Sequence, residues 1–172
     1  MRDFDDNDFP LAYLITFRCY GSWLHGDDRG SMDRDHNAYG APRIPANPAL
    51  ERSDASQREH ASVSLNPRQR SVVEQAIRDV CEHRGYDLRA LNVRSNHVHV
   101  VVSATSKPEP IMTAFKSYAT RALRNAGLIA RHAKAWSRHG STVYLWKQDH
   151  VSRACAYVLL DQDKEFRREQ SS

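Results

Sequence analysis

Two runs of alternating side chains, Tyr86–Val93 and His97–Ser103, stand next to each other in the sequence with only Arg94–Asn96 between them. Alternation of polar and apolar residues is the period of a β-strand, and a turn of two or three residues joins two such strands as a hairpin. The sequence therefore predicts a β-hairpin in the middle of the chain, and with it an antiparallel sheet.

Three segments outside the hairpin have patterns of their own. Leu11–Tyr20 is rich in aromatic and β-branched residues, which predicts a first strand. Apolar residues at helical spacing predict one helix at Pro67–Arg84, with Asn66 as its cap, and a second helix at Pro108–Ala126.

The C-terminal part of the chain adds two elements. Val143–Trp146 predicts a short last strand, and Ser152 is expected to cap a helix that runs to about Arg168. The order strand, helix, hairpin, helix, strand, helix is typical of an α+β fold of the ferredoxin-like, split βαβ kind. We expect an antiparallel sheet with helices on one face, and the last helix, which carries Tyr157, as an addition.

The length and composition predict one domain. A chain of 172 residues, 40% of them hydrophobic, can bury one substantial core but is short for two. Residues 21–66 are crowded with Gly, Pro, Asp, Asn and Arg, so we expect a long loop within a single domain that spans residues 1–172. Such loops are often functional, although a solvated insertion gives the same pattern.

Charge, cysteine content and the apolar runs bear on the partners and the cellular location of the protein. The formal charge of +4 fits a polyanionic partner, and it also fits many proteins that bind none. The three cysteines are widely spaced and form no CxxC pair, which argues against a disulfide framework or a zinc knuckle. The start of the chain is acidic, and no apolar run approaches the roughly 18 residues of a membrane span. We therefore expect a cytoplasmic protein.

His97 and His99 form a His-x-His motif in the second strand of the hairpin. Side chains at i and i+2 of a strand lie on the same face, with their Cα atoms about 7 Å apart. Two imidazoles in this arrangement can share a metal ion, which would want a third protein ligand as well. Two histidines on a solvated sheet face would give the same sequence pattern.

Tyr157 and Asp161 are four residues apart in the predicted C-terminal helix and so lie on one of its faces. A metal ion held by Asp161 would lie near the Tyr157 hydroxyl, and Gln162 is the neighbouring alternative for the third ligand. The competing interpretation is a core tyrosine followed by a solvent-facing aspartate.

The strand SNHVHVVVS, followed later by the helix RACAYVLLDQ, resembles the HUH single-tyrosine transposases, which include insertion-sequence and REP-associated tyrosine transposases. His97 and His99 match the His-hydrophobic-His motif of that family, and Tyr157 matches its tyrosine. The family has Gln or Asn four residues after the tyrosine, whereas this chain has Asp161 there and Gln162 one residue on. The resemblance spans roughly residues 11–162, and the 21–66 loop is not part of the family pattern.

The resemblance implies an endonuclease and strand transferase that acts on single-stranded DNA with hairpin ends. A Mg²⁺ or Mn²⁺ ion on His97, His99 and either Asp161 or Gln162 would polarise the scissile phosphate, and Tyr157 would attack it. The products would be a 5′-phosphotyrosine and a free 3′-hydroxyl. Members of the family are often homodimers, and the sequence leaves monomer and dimer open here.

Tyr118 is a rival nucleophile, since it lies in the helix after the His motif, but alanine at position 122 gives it no carboxylate or amide one turn on. Basic residues are candidates for contacts to the DNA backbone. The candidates are Arg94, Lys107, Lys116, Arg121, Arg124 and Lys147. A catalytically silent nucleic-acid-binding module of the same fold is the alternative function, and an unrelated metal-binding hydrolase is a third.

Overall fold

The computed structural model describes residues 9–21 and 63–161. Its strands are β1 (Ala12–Cys19), β2 (Asp87–Val93), β3 (His97–Ser103) and β4 (Trp136–Leu145). Its α-helices are α1 (Pro67–Arg84), α2 (Pro108–Asn125) and α3 (Gln148–Ala156), and a π-helix at Tyr157–Asp161 continues α3 directly. Most of the predicted 21–66 loop and everything after residue 161, Gln162 included, lie outside the described residues.

The four strands form one sheet in the order β2-β3-β1-β4, and all three neighbouring pairs are antiparallel. The connection through α1 leads from β1 to β2 with β3 between them, and the connection through α2 leads from β3 to β4 with β1 between them. This is the split βαβ arrangement, so the predicted α+β, ferredoxin-like fold class is confirmed.

Helix α1 shows how local sequence sets the ends of these elements. The side chain of Asn66 accepts a hydrogen bond from the Gln69 amide, and the Gln69 side chain accepts one from the Asn66 amide, which makes a capping box. Gly85 ends the helix with φ at +71°, a left-handed conformation that glycine adopts without steric cost. The predicted bounds of this helix are confirmed.

The sheet is buried on both faces. Tyr13, Ile15 and Phe17 of β1 point to the first face, where α1 and α2 cover them in what we call the first core. The second core lies on the other face and joins the sheet to α3 and the π-helix. Its buried members are Ala12, Ala90, Val101, Val143, Leu145, Val151, Ala154 and Val158. The predicted additional helix therefore covers the face that α1 and α2 leave open.

Two sequence-based boundaries are wrong. The last strand begins at Trp136 rather than Val143, because β4 is an edge strand whose first half is partly exposed and so carries polar residues and Gly140. The last helix begins at Gln148, so Ser152 lies inside it and does not cap it. The Ser152 hydroxyl donates instead to the Gln148 carbonyl at 3.1 Å, one turn back.

Within the described residues, no helix combines the length and the apolar character that crossing a membrane requires.

Candidate active site

His97 and His99 lie side by side on the face of β3 that belongs to the second core. Their ring centroids are 4.7 Å apart, with the rings inclined at 73°. His99 is 6% exposed and His97 is half-buried, so the pair lies at the edge of the second core. The alternation of β3 thus brings the two imidazoles together as the sequence predicted.

The ring of His97 is oriented by the residue before it. The Nδ1 atom of His97 lies 2.6 Å from Oδ1 of Asn96. An amide oxygen only accepts hydrogen bonds, so in the neutral imidazole Nδ1 carries the proton and Nε2 carries the lone pair. This is the tautomer in which Nε2 can bind a metal ion.

The ring of His99 is oriented from a different strand. Its Nδ1 atom lies 2.7 Å from Oγ1 of Thr16, and the pair is buried. Thr16 and His99 are direct partners in the β1–β3 ladder. Sequence reasoning missed Thr16, because 83 residues separate the two positions and only the strand register joins them.

Tyr157 lies against this pair. It is the first residue of the π-helix, and its ring centroid is 5.6 Å from that of His99 at an inclination of 70°. Asn92, the partner of His99 on β2, donates from Nδ2 to the Val158 carbonyl at 2.8 Å. The sheet therefore holds the backbone beside Tyr157 through Asn92, the cross-strand partner of His99. Tyr157 also begins a π-helical turn, a feature that recurs at functional sites in proteins.

The described side chains fit part of a metal site. Oxygen atoms contact the Nδ1 atoms of both imidazoles, as they commonly do at histidine ligands whose Nε2 atom binds the metal ion. No group of three or more His, Cys, Asp or Glu side chains that could hold a metal ion occurs within residues 9–21 and 63–161. The backbone of Asp161 closes the π-helix, and Gln162 follows outside the described residues, so neither third-ligand candidate has a described side chain.

Tyr118, the rival nucleophile, is on the other side of the sheet. It packs against the first core from α2, and the guanidinium groups of Arg84 and Arg121 lie 5.9 Å and 5.3 Å from the centroid of its ring. A tyrosine in that layer is separated from His97 and His99 by the sheet, so the structure brings only Tyr157 of these two tyrosines to the pair.

Lys116 is engaged within the fold. Its ammonium group donates to the carbonyl of Ser137 at 3.0 Å and to those of Arg138 and His139 at 3.4 Å, and burial lowers its pKa to about 8. It thus fastens α2 to the start of β4. A contact between Lys116 and DNA stays a prediction.

The other basic candidates lie in two regions. Arg121 and Arg124 are exposed on α2, where they line an open concavity of about 440 Å³. Arg124 also lines a neighbouring concavity of about 490 Å³ with Lys134 and Arg138. The remaining candidates stand at turns and helix starts: Arg94 before β3, Lys107 before α2 and Lys147 before α3.

The chain resembles known proteins in both its family and its fold. The family model described as "Transposase IS200 like" matches residues 58–159, a range that includes His97, His99 and Tyr157. No curated protein matches the chain.

Two solved structures resemble the fold. A REP-associated tyrosine transposase bound to a REP hairpin is 11% identical, with a TM-score of 0.50 over 96% of this chain and 74% of that chain. A candidate transposase from Deinococcus radiodurans is 16% identical, with a TM-score of 0.44 over 99% of this chain and 98% of that one. The first likeness supports the fold described above.

Proposed function

Because the chain belongs to the family of IS200-like transposases, we propose that it cleaves and rejoins single-stranded DNA with Tyr157 as the nucleophile. The observation that supports this proposal is the position of Tyr157, whose ring centroid lies 5.6 Å from that of His99. A nucleophile and two potential metal ligands on one buried face are the components that phosphoryl transfer through a covalent intermediate requires.

The chemistry of Tyr157 is a transesterification. Its Oη atom attacks the scissile phosphorus as the phenol loses its proton, and a phosphotyrosine bond forms. The bond from phosphorus to the 3′ oxygen breaks, and the departing oxygen takes up a proton to become a 3′-hydroxyl. Since one phosphodiester replaces another, a 3′-hydroxyl can reverse the reaction and rejoin a strand without another energy source.

His97 and His99 would hold a divalent ion, Mg²⁺ or Mn²⁺, through their Nε2 atoms. When bound, the ion supplies positive charge that polarises the scissile phosphate. Asp161 and Gln162 are the candidates for the third ligand. The π-helical winding bears on this choice, because an α-helical turn closes at i+4 from Tyr157, which is Asp161, whereas a π-helical turn closes at i+5, which is Gln162. Replacing each with alanine and measuring Mn²⁺ affinity would distinguish them.

The nucleic-acid partner proposed is single-stranded DNA with hairpin ends. The REP-associated relative of similar fold is described in complex with a REP hairpin. In this chain, Arg121 and Arg124 line a concavity on α2, and exposed guanidinium groups of this kind bind phosphate oxygens. Contacts from Arg94, Lys107, Lys116 and Lys147, and a homodimeric assembly, remain predictions.

The test is formation of a covalent adduct. The protein is incubated with Mn²⁺ and labelled single-stranded hairpin oligonucleotides from the flanks of its own gene, and adducts that survive denaturation are counted on a gel. We expect an adduct with the wild-type chain, none with Tyr157→Phe, and an undiminished adduct with Tyr118→Phe. Tyr118→Phe is the matched control, because it also removes a tyrosine hydroxyl but does so in the opposite layer of the fold.

Two outcomes would contradict the proposal. Cleavage that survives Tyr157→Phe would remove Tyr157 as the nucleophile. Tight, salt-sensitive binding of the same oligonucleotides without any adduct would favour the alternative of a catalytically silent binding module.

A further inference from the structure

Thr16 is a buried polar residue on the face of β1 that belongs to the second core, which it shares with Ala12, Leu14 and the partly buried Arg18. Its side chain is 8% exposed, and the residue two positions before it on the same face, Leu14, packs against the second core. A hydroxyl in such surroundings needs a hydrogen-bond partner, because burying it without one destabilises the fold. Its Oγ1 atom has that partner in Nδ1 of His99 at 2.7 Å.

The backbone fixes the position of this hydroxyl. Thr16 pairs with His99 on β3 and with Ser141 on β4, so its strand is held from both sides. A β-branched side chain has few χ1 rotamers, and the hydroxyl is therefore placed by the strand itself. The contact with His99 is thus built into the centre of the sheet.

The contact with Thr16 bears on which ring nitrogen of His99 carries the proton. A neutral histidine carries one proton, on either Nδ1 or Nε2, and the partner of one nitrogen decides which. When Nδ1–H of His99 donates to Thr16, the lone pair resides on Nε2 and the ring is held at a fixed rotation. Partners of this kind at metal-binding histidines contribute 10–100-fold to metal affinity in known sites.

We propose that Thr16 is a positioning residue for the metal site: its hydroxyl accepts the Nδ1–H of His99 and so presents Nε2 of that ring to a divalent ion. This inference rests on the proposed function, in which His99 is a ligand. Thr16 itself contacts neither the ion nor the DNA in this proposal.

The experiment measures Mn²⁺ affinity directly, by the electron paramagnetic resonance signal of free Mn²⁺ during titration of the full chain. We expect Thr16→Val, which exchanges the hydroxyl for a methyl group, to bind Mn²⁺ 10–100-fold more weakly. Thr16→Ser retains the hydroxyl and should bind within a few-fold of the wild type. The matched control is Thr142→Val, since Thr142 is also 8% exposed but is the partner of Ile15 and faces the first core.

The outcomes separate this inference from the proposed function. A wild-type chain that binds no Mn²⁺ would overturn the metal site itself. A wild-type chain that binds Mn²⁺, with Thr16→Val binding equally well, would overturn only the role of Thr16. Equal loss in Thr142→Val would show a general effect of removing a buried hydroxyl and would overturn that role too.

A second measurement uses only the wild-type chain and therefore does not depend on whether a variant folds. Nitrogen-15 spectra of the histidine rings in the metal-free wild-type chain distinguish the two tautomers of His99. We expect the proton on Nδ1, and a proton on Nε2 instead would contradict the inference.

Discussion

Gly140 lies in β4, beside the strand that carries Thr16. It pairs with Phe17 in the sheet, and a Cβ atom added to it would overlap Sδ of Met112 and lie 2.6 Å from the carbonyl oxygen of Thr16. The end of the Met112 side chain can move aside. The Thr16 carbonyl is backbone in the middle of the sheet, so for Gly140→Ala the two strands must separate until that distance is at least 3.0 Å.

The size of the effect follows from this contact. Forcing extra atoms into a packed interior typically costs 1–3 kcal/mol, and a backbone obstacle favours the middle of that range, about 2 kcal/mol. For a domain of this length each kcal/mol lowers the melting temperature by about 2–4 °C, so we expect a decrease of about 4–8 °C for Gly140→Ala. Urea unfolding monitored by tryptophan fluorescence measures the same free energy.

Two control variants isolate the cause. Gly127→Ala places an alanine at a φ of +67° but meets nothing within 4 Å, so it should show only the roughly 1–2 kcal/mol of left-handed backbone strain. Adding Met112→Ala to Gly140→Ala removes the side-chain obstacle and leaves the carbonyl obstacle. Full recovery in that double variant, or wild-type stability of Gly140→Ala alone, would refute the reasoning.

Asn92→Leu removes the amide that donates to Val158; we expect slower covalent adduct formation at unchanged Mn²⁺ affinity, and an unchanged rate would contradict this. Burial lowers the pKa of Lys116 from 10.5 to about 8, so the unfolded chain binds more protons between these pH values and stability should rise across that window. Urea titrations at several pH values should show that Lys116→Met loses this rise. Arg121→Gln and Arg124→Gln should each reduce the salt dependence of hairpin binding by about 0.7–0.9 in log–log slope, and an unchanged slope would exclude them from the interface.

The sequence predicted the fold well where a local pattern decides the structure. The alternation in His97–Ser103 placed both histidines on one face, and the capping residue Asn66 marked the start of α1. The pattern failed at the start of β4, because an edge strand that is half exposed tolerates the polar residues after Trp136. It failed again at Ser152, since a serine inside a helix can bond to the preceding turn as readily as it caps one.

The site was only partly accessible from the sequence, because its supporting contacts depend on strand register. His97, His99 and Tyr157 have recognisable spacing and residue types. Thr16 and Asn92 have neither, and they matter because the sheet places them on both sides of His99. A change from α-helical to π-helical winding at Tyr157 also has no signature in the YVLLD sequence itself.

The two halves of the candidate site stand on parts of the fold that differ in how firmly they are held. His97 and His99 lie on an inner strand that is hydrogen-bonded along both edges and covered on both faces. Among its described residues, the helical segment with Tyr157 packs on one face of the sheet, where Val151, Ala154 and Val158 are buried and Asn92 donates to the Val158 carbonyl.

Undocking that segment would open the second core and leave the hydrogen bonds of the sheet in place. The amide protons of β3 should exchange with solvent only when the whole domain unfolds, and those of α3 should exchange far sooner. In the proposed mechanism, such an opening would carry the Tyr157 hydroxyl away from His97 and His99 while both histidines stay in the sheet.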